Sequence, residues 1–340
     1  MKQAAIAAIE YHLPAETVSS ERLAAEFPEW SVAKIDEKTG ISERHIAAQD
    51  ECASDLAVEA ARKLFATGAC QPADIDYILF CTQSPDYILP TTACAIQDRL
   101  GVPKSAGAID YNLGCSGFVV GLGLAKGLIE TGQASKVLLL TGETYSKYMN
   151  RCDKSVRTIF GDAGAATLLT ALEPAVSPYI GPFVYGTDGS GAGNLIVCTG
   201  GMREPRTAGS AVEREEESGN LRSRDNLFMN GTEIFSFTLQ NIPKCVKDLL
   251  ALAGIGMEEV DLFVFHQANQ YMLEHLRKQL SIPLDKFLIS MRSCGNTVSC
   301  SIPIALTNAQ QAGKIKSGDS AMLVGFGVGY SWASTLIRWL

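Results

Sequence analysis

The residue best placed to do chemistry in this chain is a thiol set between glycines. Cys115 lies in Tyr111-Asn112-Leu113-Gly114-Cys115-Ser116-Gly117-Phe118, followed by the apolar run Val119-Val120-Gly121-Leu122-Gly123-Leu124. Glycines on both sides allow a tight strand-to-helix turn. The unpaired N–H groups of the helix's first turn, with the positive end of its dipole, favour thiolate over thiol. Most of the chain's ten cysteines are expected to be inert, buried small hydrophobes, and this context sets Cys115 apart from them. A nucleophile needs partners, and two lie far downstream, each after an apolar run. His266 sits in Val260-Asp261-Leu262-Phe263-Val264-Phe265-His266-Gln267-Ala268-Asn269, and Asn296 in Ser293-Cys294-Gly295-Asn296-Thr297-Val298-Ser299.

Cysteine, histidine and asparagine together have two chemical meanings. In a papain-like protease the order is the same, with His as base and Asn orienting it. That reading fails here, because the Cys-Gly-Ser/Ala-Cys-aromatic signature is absent. The other meaning is a decarboxylating Claisen condensation. The thiol takes an acyl group from a thioester, and a malonyl thioester then loses CO₂ to give an enolate that attacks the acyl-enzyme. An enolate oxygen needs neutral donors, a His Nε2–H and an Asn amide, more than it needs a strong base.

Elements able to position these residues follow an alternation of short β-rich runs and helical stretches, the pattern of stacked βαβ units. Helices are expected over 54–67, 92–100, from Cys115 to Thr131, and from Gly231 to about Leu252; strands over Tyr77–Cys81 and Lys136–Leu140. A weak internal repeat organises them. Ala73-Asp74-Ile75-Asp76-Tyr77-Ile78-Leu79-Phe80-Cys81-Thr82 matches Glu258-Glu259-Val260-Asp261-Leu262-Phe263-Val264-Phe265-His266-Gln267 in charge and apolar pattern. Gly114-Cys115, a helix ending in Thr131-Gly132 and Lys136-Val137-Leu138-Leu139-Leu140 match Gly295-Asn296, a helix ending in Ala312-Gly313 and Ser320-Ala321-Met322-Leu323-Val324. Two related halves are implied, 1–172 and 173–340, with a proline-marked seam around Leu172 to Gly181. Cys115 and Asn296 then occupy equivalent helix starts that a pseudo-twofold brings to one centre. Between them, Met202 to Asp225 reads as a solvated loop or flap.

The chain's 340 residues, 46% of them apolar, suffice for a large core, which excludes a disordered or coiled-coil protein. A net charge of −8 argues against nucleic acid as a partner. The opening residues Met1 to Glu10 read as a first strand and not as a signal peptide, and no run is long and apolar enough for a membrane span. Scattered cysteines without an export signal point to reduced thiols in the cytoplasm, and no C-x₂-C pair suggests zinc.

At these residues the sequence resembles the β-ketoacyl-acyl-carrier-protein synthase III family of thiolase-like condensing enzymes, over essentially the whole chain. The motifs that carry the resemblance are Lys38-Thr39-Gly40-Ile41-Ser42-Glu43-Arg44-His45-Ile46, Gly114-Cys115-Ser116-Gly117-Phe118, Phe160-Gly161-Asp162-Ala163-Gly164-Ala165-Ala166, His266-Gln267-Ala268-Asn269, Gly295-Asn296-Thr297 and Gly325-Phe326-Gly327-Val328-Gly329-Tyr330-Ser331-Trp332. The resemblance implies an α/β thiolase-like fold of five layers, αβαβα, and an acyltransferase without metal or cofactor. It implies that Cys115 is acylated, that His266 and Asn296 stabilise the malonyl-derived enolate, and that the backbone N–H groups of Cys115 and Val328 form the oxyanion hole. Asn269, Met229, Gly231 and Phe326 would line the substrate tunnel. Leu89 would cross a homodimer interface into the partner subunit's acyl pocket, and its size in place of a bulkier aromatic suggests a roomier pocket.

The implied partners are an acyl-CoA or acyl-carrier-protein primer and malonyl-acyl-carrier protein. Lys34, Lys38, Lys154, Arg277 and Lys278 are the candidate contacts to CoA or carrier. Where the fatty-acid-initiating enzymes place a Trp and an Arg around the CoA adenine, Lys34 and Lys154 stand here; a lysine meets phosphate but does not stack. Tyr271 replaces a basic residue used in carrier docking, and Val328 replaces a glycine while keeping its N–H. An alternative keeps the fold and the acyl-cysteine but passes the acyl group to an alcohol or amine.

Overall fold

The computed structural model describes all 340 residues. Strand-forming apolar runs assemble into two sheets. The first contains β1 (Gln3–His12), β2 (Tyr77–Cys81), β3 (Gly107–Tyr111), β4 (Lys136–Glu143) and β5 (Ala163–Leu172), in the order β1-β5-β4-β2-β3. The second contains β6 (Ile180–Thr187), β7 (Leu262–Phe265), β8 (Ser320–Gly327) and β9 (Ser331–Arg338), in the order β7-β8-β9-β6. Pairing repeats as well as order. β2 runs parallel to β4, which pairs antiparallel with β5, and β5 antiparallel with β1. Likewise β7 runs parallel to β8, which pairs antiparallel with β9, and β9 antiparallel with β6. Only β3 lacks a full counterpart; a single parallel bridge between Phe263 and Phe287 occupies its place.

Side-chain alternation explains why helices cover both faces. Leu79, Val137, Leu139, Leu262, Val264 and Leu323 point into one central core. Their neighbours Ile78, Phe80, Leu138 and Leu140 face a second core on the outside of the first sheet, and Phe263, Phe265, Met322 and Val324 a third outside the second sheet. Strands buried on both faces read as continuous apolar runs, as these do. The helices that fill the layers are α1 (Val32–Thr39), α2 (Ala53–Ala66), α3 (Thr92–Leu100), α4 (Gly117–Glu130), α5 (Gly231–Ala253), α6 (Gln270–Gln279) and α7 (Ser301–Gln311). α2 and α3 pack outside the first sheet, α5 outside the second with α6 against it, and α4 and α7 lie between the sheets. The result is the expected αβαβα stack. No helix is long and apolar enough to cross a membrane.

The last strand of the first sheet ends at Leu172 and the first of the second begins at Ile180, either side of the proline-marked segment. The 202–225 segment, read as a solvated flap, is largely exposed but anchored. Arg214–Glu215 pairs antiparallel with Leu221–Arg222, and Arg222 reaches the fully buried carboxylate of Asp153 at 3.0 Å.

Candidate active site

Cys115 lies two residues ahead of α4, in the turn that leaves β3. That turn rests directly on β8, which is bare there. A Cβ on Gly327 would come within 2.9 Å of both Cβ and Sγ of Cys115, and one on Gly325 within 2.8 Å of the Cys115 carbonyl oxygen. Ser116 Oγ meets Ser331 Oγ at 2.7 Å, and Ser331 donates to the Val328 carbonyl at 2.9 Å, so the turn is tied to the β8–β9 connection.

The helix start does not produce a thiolate. Burial pushes the Cys115 thiol up to about 12, Glu143 adds to this once it is ionised, and the Cys115 and Val328 backbone N–H groups offset only part of it. The expectation of a helix-activated thiolate is thus corrected: the thiol is enclosed by protein, and desolvation outweighs the first-turn N–H groups.

His266 follows β7, its backbone N–H donating to Val324 at 2.8 Å. Nδ1 lies 2.7 Å from Ser301 Oγ, which also accepts the Gln267 N–H at 3.3 Å. The Ser301 hydroxyl can donate its proton to Nδ1, an arrangement that goes with the tautomer carrying the imidazole proton on Nε2. Burial holds the His266 pKa down to about 3, with the Val298 backbone offsetting only part of the effect. The ring is therefore a neutral donor at physiological pH.

Asn296 Oδ1 accepts the Val298 N–H at 2.9 Å, while Nδ2 donates to the Ala268 carbonyl at 3.3 Å, leaving its second N–H for the cavity. The preceding Gly295 has φ +75°, and a Cβ there would lie 3.0 Å from the Ile159 carbonyl oxygen. Asn296 leads first into a 3₁₀ turn, Val298–Cys300, and only then into α7, so the match to the Cys115 turn is looser than the repeat suggests.

Cys115, His266 and Asn296 line one cavity of about 100 Å³, and Asn269, Met229, Gly231 and Phe326 line it too. No Lys, Arg, Asp or Glu is among its lining residues. Asn269 also caps α6, accepting the Met272 N–H at 2.8 Å. Val328 lines instead a larger cleft of about 1000 Å³, which shares Leu195 with the first and is walled by Gln83, Tyr145, Tyr148 and Arg206 of the 202–225 segment. Leu89 lines neither cavity of its own chain; it is 78% exposed beside exposed Tyr87 and Ile88.

The proposed CoA or carrier contacts fall into two groups. Lys34 and Lys38 place their ammonium groups 5.0 and 5.1 Å from the ring centroid of Trp30, and Lys154 pairs with Glu29 at 2.8 Å. Arg277 is held internally by Glu274 at 2.8 Å and the Ile282 carbonyl at 3.1 Å, next to Lys278 in the last turn of α6.

Four residues that sequence reasoning passed over bear on the site. Trp30 lies just ahead of α1, four residues before Lys34, a spacing that could have found it. Arg44, quoted only as part of a motif, is fully buried with hydrogen bonds to the Thr158 and Ile41 carbonyls and to Ser20. Ser301 partners His266. Glu143 ends β4 fully buried, accepting from the Gln83 N–H at 3.0 Å, Ser299 Oγ at 2.9 Å and Ser84 Oγ at 3.4 Å; burial raises its pKa to about 8.

A buried cysteine facing a neutral histidine and an asparagine, between two repeated sheets, defines a thiolase-like condensing acyltransferase. The models describing 3-oxoacyl-[acyl-carrier-protein] synthase III and its C terminal match residues 109–189 and 250–339. A β-ketoacyl-[acyl-carrier-protein] synthase III of Clostridium perfringens (strain ATCC 13124) is 36% identical over 338 residues, 99% of this chain and 100% of its own. A crystal structure of a 3-oxoacyl-(acyl-carrier-protein) synthase III has a TM-score of 0.98 at 54% identity, covering 99% of this chain and 100% of that one. The 3-oxoacyl-(acyl-carrier protein) synthase of Burkholderia xenovorans LB400 follows with 0.90 at 37%, covering 100% and 95%. The chain belongs to the β-ketoacyl-acyl-carrier-protein synthase III family.

Proposed function

We propose that this protein condenses an acyl primer, carried on CoA or carrier protein, with malonyl-acyl-carrier protein, as a cytoplasmic homodimer built from the halves 1–172 and 173–340. The observation that carries the reading is the shared cavity in which the Cys115 thiol meets two neutral donors, His266 and Asn296. Cys115 sulfur attacks the primer thioester; the new S–C bond forms, the old one breaks, and the thiol proton leaves with the departing thiol. The Cys115 and Val328 N–H groups hold the carbonyl oxygen as its charge develops. The malonyl thioester then breaks its bond to the carboxylate, CO₂ departs, and the electron pair becomes an enolate whose oxygen is bound by His266 Nε2–H and the Asn296 amide. Enolate carbon attacks the acyl carbonyl, the bond to Cys115 breaks, and the departing Cys115 thiolate takes up one proton from solvent to restore the thiol.

Asn269, Met229, Gly231 and Phe326 would flank the incoming pantetheine arm, Leu89 would close the acyl cleft of the partner subunit, and the Lys34–Lys38–Lys154 cluster and Arg277–Lys278 would meet phosphate or an acidic carrier. Half-reactions test the assignment. Cys115→Ala is expected to abolish self-acylation seen by intact mass. His266→Ala and Asn296→Ala are each expected to acylate normally but lose about 10² to 10³ in malonyl decarboxylation, the usual cost of one such donor. Normal condensation by either would overturn the reading.

A further inference from the structure

The residues that orient the two donors come from one short stretch. Asn296 is held by the Val298 N–H, the Val298 backbone lies beside the His266 ring, and Ser301 contacts His266 Nδ1. Val298 is a β-branched residue at φ +53°, a backbone conformation that such side chains rarely adopt and that persists only where the surroundings impose it.

The surroundings supply one visible anchor. Ser299, next in the chain, donates to Glu143 Oε1 at 2.9 Å, while the other carboxyl oxygen accepts from the Gln83 N–H at 3.0 Å and faces Ser84 Oγ at 3.4 Å. Ser84 Oγ in turn accepts the Thr144 N–H at 3.2 Å. Glu143 therefore joins the end of β4 and the loop after β2 to a turn 156 residues away; Glu143, Ser84 and Ser299 are buried, while Gln83 is partly exposed at the larger cleft. A carboxyl group buried this completely is costly even when protonated, and a plain packing position would be filled by an apolar residue.

We infer that Glu143 is a positioning residue for the condensation half-reaction: through Ser299 it holds the strained Val298 turn that aims Asn296 and His266 at the enolate. The inference rests on the condensing reading of the site. Acyl transfer to Cys115 uses the N–H groups of Cys115 and Val328, to which Glu143 makes no hydrogen bond, and a Glu143 carboxyl that keeps its proton at neutral pH places no charge beside the thiol, so loss of Glu143 is expected to separate the two half-reactions.

The test compares the native protein with Glu143→Gln, Glu143→Leu and Ser299→Ala. Self-acylation is read as mass added at Cys115 from a panel of acyl-CoA thioesters, and decarboxylation as CO₂ released from malonyl-carrier protein by the acylated enzyme. A glutamine can accept the Gln83 N–H and donate to Ser299, so Glu143→Gln is expected to stay within about threefold in both steps. Glu143→Leu and Ser299→Ala are expected to acylate within about threefold but to decarboxylate at least tenfold more slowly. Equal rates of decarboxylation in Ser299→Ala and the native protein would overturn the inference. So would a parallel loss of both steps in Ser299→Ala, which marks a merely structural contact. Absence of CO₂ release by the native protein with every primer would instead sink the underlying reading.

Discussion

Replacing Glu143 by glutamine leaves a distinct mark on the pH dependence of stability. In the folded protein burial raises this carboxyl to about 8 from its ordinary 4.5, so between those values the folded state holds a proton that the unfolded chain has released. Folding stability then falls as pH rises through that window, by about 1.4 kcal/mol per pH unit. From pH 5 to 8 the loss amounts to roughly 4 kcal/mol, and Glu143→Gln does not suffer it. Unfolding entropy of about 2.1 cal/mol/K per residue makes 1 kcal/mol worth about 1.4 °C in a chain this long. The Tm of Glu143→Gln minus that of the native protein should therefore climb by about 6 °C between pH 5 and 8 in differential scanning calorimetry. Asp162, which burial raises to about 6, titrates in both proteins, and its charge is the last and smallest of the named influences on Glu143, so the difference reports mainly on Glu143. A Tm difference that stays flat across the window would refute the argument, since it would mean that the folded state does not bind the extra proton.

Three further outcomes are expected. Gly327→Ala forces a methyl to within 2.9 Å of the Cys115 sulfur; overpacking of about 1 to 3 kcal/mol should slow self-acylation more than tenfold with a Tm loss of only a few degrees. Because His266 is held near 3, malonyl decarboxylation by the acyl-enzyme should be level from pH 5.5 to 7, and a fall with an apparent pKa near the ordinary histidine value would contradict a neutral donor. Leu89→Trp, at an exposed position outside both cavities of its own chain, should shift primer preference in the intact-mass assay toward short acyl groups; an unchanged chain-length profile would remove Leu89 from the acyl pocket.

Much of this architecture was legible because the strands are buried on both faces. Runs such as Lys136 to Leu140 and Leu262 to Phe265 have no polar side to confuse their period, and their recurrence exposed the repeat. The three residues that share the cavity were legible because Cys115 and Asn296 sit at glycine turns and His266 closes an apolar run. Glu143 was not: a single acid at the end of an apolar strand carries no periodic signal, and its partners Gln83, Ser84 and Ser299 converge only in three dimensions. The ionisation of Cys115 was misjudged for a related reason. Local sequence displays a helix N-terminus but not the desolvation imposed by β8 and the loops above it, and desolvation is the larger effect.

The cavity around Cys115 is electrically silent at neutral pH. The thiol keeps its proton, His266 carries none to spare, and no charged side chain lines the wall. A malonyl thioester entering it would bring the only formal charge present and would meet no cation among the lining residues. Shedding that charge as CO₂ spreads it onto an enolate oxygen that the two donors are built to receive, so the emptiness of the site is itself a thrust toward decarboxylation.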